Sequence, residues 1–546
     1  MRIVWIDLNS SYAHSSLALP ALHAQLLDRD DIEWQMVSGT INENPGNIAS
    51  KVYRYQPDIV AATCWLFNHE ELLHVLCRVR ALLPLTTIAL GGPEFLGDNE
   101  PFLIRNPFVD CVFRGEGEEV FPQWLQIWNN KQEWQSIKGI CYITSQKDYI
   151  DNGIARVIKF DQLASPEDSI FFNWSKPFVQ LETTRGCFNT CAFCVSGGEK
   201  PVRELNMEEI KRRIDLIHTH GVKNVRVLDR TFNFNLRRAK ALLKLFREYK
   251  DIRFHLEVHP ALLKDELKKE LETMPKGMLH VEAGIQSLHD DVLSVCRRIG
   301  RLSDAMDGLH FLCNLDNMQT HADLIAGLPL YHLEQIFDDV RALARLKAKE
   351  IQLESLKLLP GTEMRRRAEE LGIRYATLPP YEVLATNEIT PDELQTARLL
   401  SRLIDNYYNT SAWQGITRQL IIEQPDFLHQ FLDHLTNLDV IDNPMSLEKR
   451  GVLLYHFCKS HYPEYVTSMS RSWIEAGMSL KKEPAERVRT KHVTPPDTWY
   501  ITYGSYEEKL KLCKLPTENK TFWYGFDTDI QGGRPVMIAV SASENN

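Results

Sequence analysis

From residue 2 to about residue 360 the chain alternates short apolar runs with amphipathic stretches, and this alternation limits its folds more than any other feature. RIVWIDL (2–8), WQMVSG (34–39), DIVAATCW (58–65), TIALGG (87–92) and CVFRG (111–115) read as buried strands, while 17–27, 69–83 and 118–128 carry helical periodicity. Strands separated by helices pair in parallel, because the crossover helices cover both faces of the sheet. An α/β fold with a parallel sheet is therefore expected over 1–135, with ligands at the carboxyl ends of its strands. Residues 136–176, with IKGICYITSQKDYI and the polar SPEDS, read as a linker carrying a hairpin. A second series occupies 177–375, with strands PFVQLETT, NVRVLD, RFHLEV, LHVEAGI, THADLIAG and EIQLESLKLL and helices between them. Six such units make a partial (β/α)6 barrel. From 376 to 546 the pattern gives way to a mainly helical region, with helices near 391–408, near 426–436 and at RSWIEAG. After the charged stretch KKEPAERVRTKHVTPP comes a small β end built from WYITYGS, TFWYGFD and RPVMIAVS.

At 546 residues the chain exceeds what one core organises, so several domains are expected. A net charge of −10 argues against a broad cationic surface for duplex nucleic acid, and favours a small-molecule or metabolite substrate. No apolar run approaches the roughly 18 residues of a membrane span, and MRIVWIDLNS lacks the basic start of a signal peptide. These features predict a cytoplasmic protein with no membrane partner. In a reducing compartment eleven cysteines are free thiols or metal ligands rather than a disulfide framework.

Three of the cysteines crowd into TTRGCFNTCAFCVSGGEK (183–200): Cys187, Cys191 and Cys194, spaced C-x3-C-x2-C. A structural zinc site wants four ligands, and no second cysteine pair or His-x-x-x-His stands nearby to complete one. A [4Fe–4S] cluster on three thiolates leaves one iron open to a substrate or cofactor. Three core or redox thiols on a loop is the plainer alternative. CFNTCAFC, with Phe193 before the last cysteine, resembles the radical S-adenosylmethionine (SAM) superfamily. The resemblance implies that the open iron chelates SAM and that an electron from the cluster cleaves it. It runs over about 180–365 and implies four SAM contacts: Glu257 on the third strand, Gln286 on the fourth, Arg298 on the following helix and Asp323 on the fifth. PGTEM (360–364) resembles the turn after the sixth strand. Where the family places a GGE-type element this chain has DRTFNFN (229–235), similar to the DxxFxxN form of the cobalamin-linked and methylthio-transfer branches.

Two glycine quartets end strands of the first series: Gly91-Gly92-Pro93-Glu94 and Gly115-Glu116-Gly117-Glu118. Taken alone they are strand-end turns or places where backbone approaches a ligand. A parallel α/β domain ahead of the barrel resembles the cobalamin (B12)-binding radical SAM branch, in which this domain is Rossmann-like and the GGPE and RGEGE segments line the cobalamin nucleotide tail. No Asp-x-His-x-x-Gly motif is present, since His14, His23, His69 and His74 all lack the spacing. The expectation is a cobalamin bound without a histidine ligand, its lower face covered by the loop at 64–68 through Trp65.

The resemblance implies an enzyme that uses three cofactors, a [4Fe–4S] cluster, SAM and cobalamin, and transfers a methyl group to an unactivated carbon through a 5′-deoxyadenosyl radical. Ring closure, rearrangement or reduction without methyl transfer is the second enzymatic reading. A radical SAM enzyme acting on tRNA or a tetrapyrrole is the third, and a cofactor carrier or sensor is the non-enzymatic one. Reduction of the cluster requires an electron donor such as flavodoxin or ferredoxin. No catalytic side chain is assigned from sequence. His259, Glu282 and His321 stand at barrel strand ends and either face substrate or are half-buried polar positions, whereas the other eight cysteines sit among apolar neighbours as core residues. The C-terminal region resembles an uncharacterised domain found after the barrel in some proteins of this branch.

Overall fold

In the computed structural model, residues 1–479 and 482–485 are described, and 489–492, 511–514, 521–527 and 536–541 are described as strand backbone. The chain divides into two compact units, one of residues 1–332 with 355–394 and the other of residues 333–354 with 395–546.

Every strand expected in the first series forms. β1 (Arg2–Asn9), β2 (Glu33–Thr40), β3 (Ile59–Thr63), β4 (Thr87–Gly91) and β5 (Cys111–Phe113) pair in parallel in the order β2-β1-β3-β4-β5. Ile59–Thr63 is buried at every residue, as a central parallel strand covered on both faces must be. Because the chain moves from β1 to one side and then to the other, the carboxyl ends of β1 and β3 border a crevice.

The hairpin differs from its sequence reading. β6 (Ile140–Ile143) and β7 (Tyr149–Asp151) continue the first sheet, with β6 antiparallel to β5. An unpaired β5 edge would expose its backbone polar groups, and the hairpin covers them. The rest of the connector is fastened by a buried ion pair: Arg213 donates through Nε and Nη2 to the Glu167 carboxylate, both at 2.8 Å.

The second sheet opens with β8 (Val179–Leu181). A short antiparallel pair follows, β9 (Thr184–Arg185) with β10 (Arg203–Glu204). Then come β11 (Asn224–Val227), β12 (Arg253–Val258), β13 (Leu279–Gln286) and β14 (Gln319–Ala326), parallel in the order β8-β11-β12-β13-β14. The helices between them start where a side chain can satisfy the first free N–H groups. Asn206 accepts from Glu209 N–H before Met207–Thr219, and Asn235 accepts from Arg238 N–H before Leu236–Phe246. The DxxFxxN segment is thereby explained as structure. Asp229 accepts the Thr183 and Thr184 N–H groups at 2.9 and 2.8 Å, Phe232 is buried, and Asn235 is the helix cap.

The second unit contains Leu333–Arg345, the sixth barrel strand segment Glu350–Ser355 up to Glu354, and helices Ser411–Glu423, Phe427–Asn437, Leu447–His461 and Val466–Glu475. Its buried residues include Trp413, Phe427, Phe431, Phe457 and Trp473. Of the expected β end, Thr521–Asp527 and Val536–Ser541 form an antiparallel pair, while WYITYGS lies outside the described residues.

Candidate active site

The cysteine loop leaves β9 and returns as β10, so Arg185 faces Arg203 across its neck. Inside, the backbone folds on itself: Cys194 N–H donates to the Cys191 carbonyl (3.1 Å), Gly197 N–H to the Cys194 carbonyl (3.0 Å) and Gly198 N–H to the Asn189 carbonyl (2.8 Å). A Cβ at Gly197 would lie 2.3 Å from the Cys191 carbonyl oxygen, so only glycine fits. Two contacts staple the loop to the barrel, Ala192 N–H to the Cys296 carbonyl and Met364 N–H to the Ala192 carbonyl, each 2.8 Å. Cys187 and Cys191 are buried and Cys194 is half-buried. Burial raises the Cys191 and Cys194 thiols, and the Arg298 guanidinium, with Nη1 3.6 Å from Cys191 Sγ, partly offsets this at Cys191.

Behind the loop, β12, β13 and β14 turn their apolar residues to the helices and their polar residues inward. β13 ends in an irregularity between Gly284 and Gln286, and Gln286 has φ 74°, a costly backbone for a residue with a side chain. A Cβ on Gly284 would meet Gln286 Nε2 at 2.6 Å, Arg298 Nη2 at 3.8 Å and Asp323 Oδ2 at 3.8 Å. Three of the four residues singled out in the sequence therefore converge on a space that glycine keeps open, beside Cys191. The fourth, Glu257, is half-buried, and its desolvation together with the Glu282 charge moves its pKa up to about 7.

At the carboxyl end of the first sheet, the loop 64–68 spans the β1–β3 crevice. Asn68 Nδ2 donates to the Leu8 and Thr63 carbonyls (2.9 and 3.1 Å), and Trp65 N–H donates to Asn68 Oδ1 (2.8 Å). Trp65 and Phe67 lie nearly parallel, 6.3 Å apart at 11°, as a flat apolar surface. Gly91 ends β4, Gly92 has φ 114° and packs against the Cys64 carbonyl, and Pro93 starts the turn Pro93–Phe95. Glu94 accepts from Tyr381 Oη (2.7 Å) and lines a cavity of about 1240 Å³, together with His69, Arg114, Arg365 and Tyr381.

The second quartet reaches the cysteine loop itself. Arg203 clasps both oxygens of Glu116 at 2.7 Å, and Arg185 Nη2 donates to Glu118 Oε1 at 2.9 Å. Gly115, at φ 104°, sits against the Ala155 carbonyl, where a Cβ would come within 2.2 Å, and Gly117 is packed near Leu22. Close backbone packing requires glycine at 115. Three of the quartets' carboxylates thus hold protein partners across the two sheets.

Three family models match in succession: a B12 binding domain over residues 6–125, the radical SAM superfamily over 181–343, and a protein family of unknown function, DUF4080, over 369–475. An uncharacterised methyltransferase from Pyrococcus horikoshii is 23% identical over 381 residues, covering 66% of this chain and 81% of its own length. The chain combines a B12-binding domain with a domain of the radical SAM superfamily. The cobalamin-dependent radical SAM methyltransferase TokK from Streptomyces tokunonensis is 21% identical over 68% of this chain, which spans 57% of TokK. Among solved structures, the cobalamin-dependent SAM radical enzyme OxsB superposes with a TM-score of 0.61 at 13% identity, over 86% of this chain and 79% of its own.

The residues present fit the cofactors of this family, a [4Fe–4S] cluster, SAM and cobalamin. Among the described residues the three sulfurs do not gather within 4.8 Å of one another as ligands of one ion would, yet Cys191 feels the charge of the other two and Cys194 that of Cys187, as ligands on separate corners of a cluster do. Asp323 Oδ2 borders the space shared with Arg298 and Gln286, in a lumen whose carboxylates suit a cationic sulfonium. The Trp65–Phe67 surface at the β1–β3 crevice suits a planar ring. Sequence reasoning missed Arg203, Tyr381, His255 and His280. Nothing marked the first two, but the polar period of two along β12 and β13 was visible for the histidines.

Proposed function

We propose that this chain is a cobalamin-dependent radical SAM methyltransferase that methylates an unactivated carbon of a small molecule. The observation that carries the reading is the facing of two strand ends. The loops after β4 and β5 of the first sheet meet the cysteine-loop neck and the 360–381 segment of the second, through Glu116–Arg203, Glu118–Arg185 and Glu94–Tyr381. A ligand on the first sheet and one on the second are thereby held toward each other, which is what a transfer between two cofactors and one substrate needs.

In this reading 1–135 is the cobalamin-binding domain, 136–176 joins it to the radical SAM barrel of 177–375, and 376–546 recognises substrate. Cys187, Cys191 and Cys194 hold the cluster. Glu257, Gln286, Arg298 and Asp323 hold SAM, the guanidinium of Arg298 pairing the methionine carboxylate and Asp323 taking the ribose hydroxyls. Gly91, Gly92, Pro93, Glu94, Gly115, Glu116, Gly117 and Glu118 shape the wall of the cobalamin site, and Trp65 shields its lower face. Together the bound groups supply reductive cleavage of SAM and carriage of a methyl group on cobalt. The protein's own part is to position, to exclude water with Trp65 and Phe67, and to hold Arg298 beside the cluster loop. Among the described residues no helix is long and apolar enough to cross a membrane, and we place the enzyme in the cytoplasm with a flavodoxin or ferredoxin as electron donor.

The test is anaerobic purification with cobalamin supplied, followed by metal analysis and a visible spectrum. The expected result is about four iron and one cobalt per chain, with iron lost and cobalt kept on Cys191→Ser. Purification without corrinoid, even after reconstitution, contradicts the proposal.

A further inference from the structure

Three neighbouring barrel strands carry one pattern, histidine, an apolar residue, then an acid: His255-Leu256-Glu257, His280-Val281-Glu282 and His321-Ala322-Asp323. Leu256, Val281 and Ala322 are fully buried toward the helices, so the histidines and acids share the opposite face, in the lumen. Registration is not level. His255 pairs with His280, but β14 is offset so that His321 pairs with Glu282.

The offset strings the rings together. His255 Nε2 is 3.0 Å from Glu282 Oε2, His255 Nδ1 is 3.3 Å from His280 Nδ1, and His280 Nε2 is 3.2 Å from His321 Nδ1. One proton serves each link. With neutral rings and the Glu282 carboxylate accepting from His255 Nε2–H, His255 Nδ1 accepts from His280 Nδ1–H, and His280 Nε2 from His321 Nδ1–H. A lone pair is then left on His321 Nε2. That atom lies 3.1 Å from Asp323 Oδ1 and 3.5 Å from Glu282 Oε2. Neither His321 Nε2 nor Asp323 Oδ1 is aligned for a hydrogen bond, although His321 is only 6% exposed. A lone pair aimed between two carboxylates leaves a place that a proton or a metal ion fills.

The ligand atoms of Glu282, His321 and Asp323 lie within 4.8 Å of one another. Separations of this size, without hydrogen-bond alignment, are those of adjacent ligands around an ion held at about 2.0–2.2 Å. His321 would be the nitrogen ligand, its other nitrogen fixed by His280, and Glu282 would be held from behind by His255, the arrangement that orients metal ligands elsewhere. Asp323 has an oxygen to spare, since Oδ2 is the atom turned toward Gly284 and Arg298.

We propose that Glu282, His321 and Asp323 bind a divalent transition-metal ion of the zinc class in the barrel lumen, and that its open coordination positions take an oxygen donor of the substrate. Three protein ligands leave at least one position for such a donor, as in catalytic rather than structural zinc sites. No cysteine is involved, so the site is independent of the cluster.

The test adds zinc in slight excess to the full chain loaded with cluster and cobalamin, removes loosely held metal on a chelating column, and measures zinc, iron and SAM cleavage on the same sample. Wild-type protein should retain about one zinc per chain. His321→Ala should retain less than a tenth of that with iron and SAM cleavage still present, and Glu282→Gln, which keeps the volume, should bind zinc at least tenfold more weakly. Wild-type protein that cleaves SAM yet holds no zinc overturns the site while leaving the radical SAM reading intact, because a proton then occupies the place assigned to the ion. Equal zinc in wild type and both variants overturns it as well.

Discussion

Gly197 tests the cysteine loop at the scale of one atom. A methyl group there has to displace the Cys191 carbonyl, so Gly197→Ala should lose most cluster iron while far-ultraviolet circular dichroism stays that of the wild type. A variant with full iron content would mean that the loop tolerates a different path. A second single-residue test concerns His23, which is buried against Ser169 Oγ (3.0 Å), Trp34 and Phe171. Burial lowers its pKa below the ordinary histidine value. A histidine depressed in the folded state contributes stability that is full above about pH 6.5 and is lost as the pH falls below it. Thermal unfolding of the wild type should therefore drop between pH 6.5 and 5 more steeply than that of His23→Gln. Equal slopes would remove His23 from the account. At this scale the sequence was readable where chemistry sits in contiguous letters, as with Cys187, Cys191 and Cys194. It was silent on Tyr381 and Arg203, whose partners are 287 and 87 residues away, since no local pattern records a distant partner.

Among elements, the β9–β10 pair is the joint between the two halves of the chemistry. Arg185 and Arg203 frame the cysteine loop and bind the Glu116 and Glu118 carboxylates from the first sheet, with Arg185 also stacked over Phe160. Glu116→Gln removes the paired bonds to Arg203, which keeps Glu199 at 2.8 Å, so it should cost about 1–2 kcal/mol by denaturant unfolding. Arg203→Lys, which loses the two-pronged geometry, should slow SAM cleavage, with cobalamin binding unchanged. Unchanged cleavage would make the joint a stabilising contact only. The parallel strands of both sheets were legible because apolar runs and helical periodicity alternate over hundreds of residues. The hairpin's attachment to β5 was not, because an edge strand pairs through its backbone and carries no side-chain signal of its partner. The glycine quartets were visible as turns, but their reason, backbone packed against Cys64 and Ala155, emerged only from the three-dimensional arrangement.

For the molecule as a whole, the proposed function depends on the first sheet and the barrel turning their carboxyl ends toward one another, with the [4Fe–4S] cluster assigned to one side and the corrinoid to the other. Such an arrangement spends SAM in two ways, as methyl donor and as radical source, and each leaves its own product. The direct measurement is therefore product analysis of reduced, cobalamin-loaded protein incubated with SAM labelled in its methyl group. The account predicts both S-adenosylhomocysteine and 5′-deoxyadenosine, with Cys191→Ser abolishing the second and sparing the first, and with label appearing on the corrinoid. Formation of 5′-deoxyadenosine alone, with no labelled corrinoid under any reducing condition, would contradict methyl transfer as the purpose of this fold.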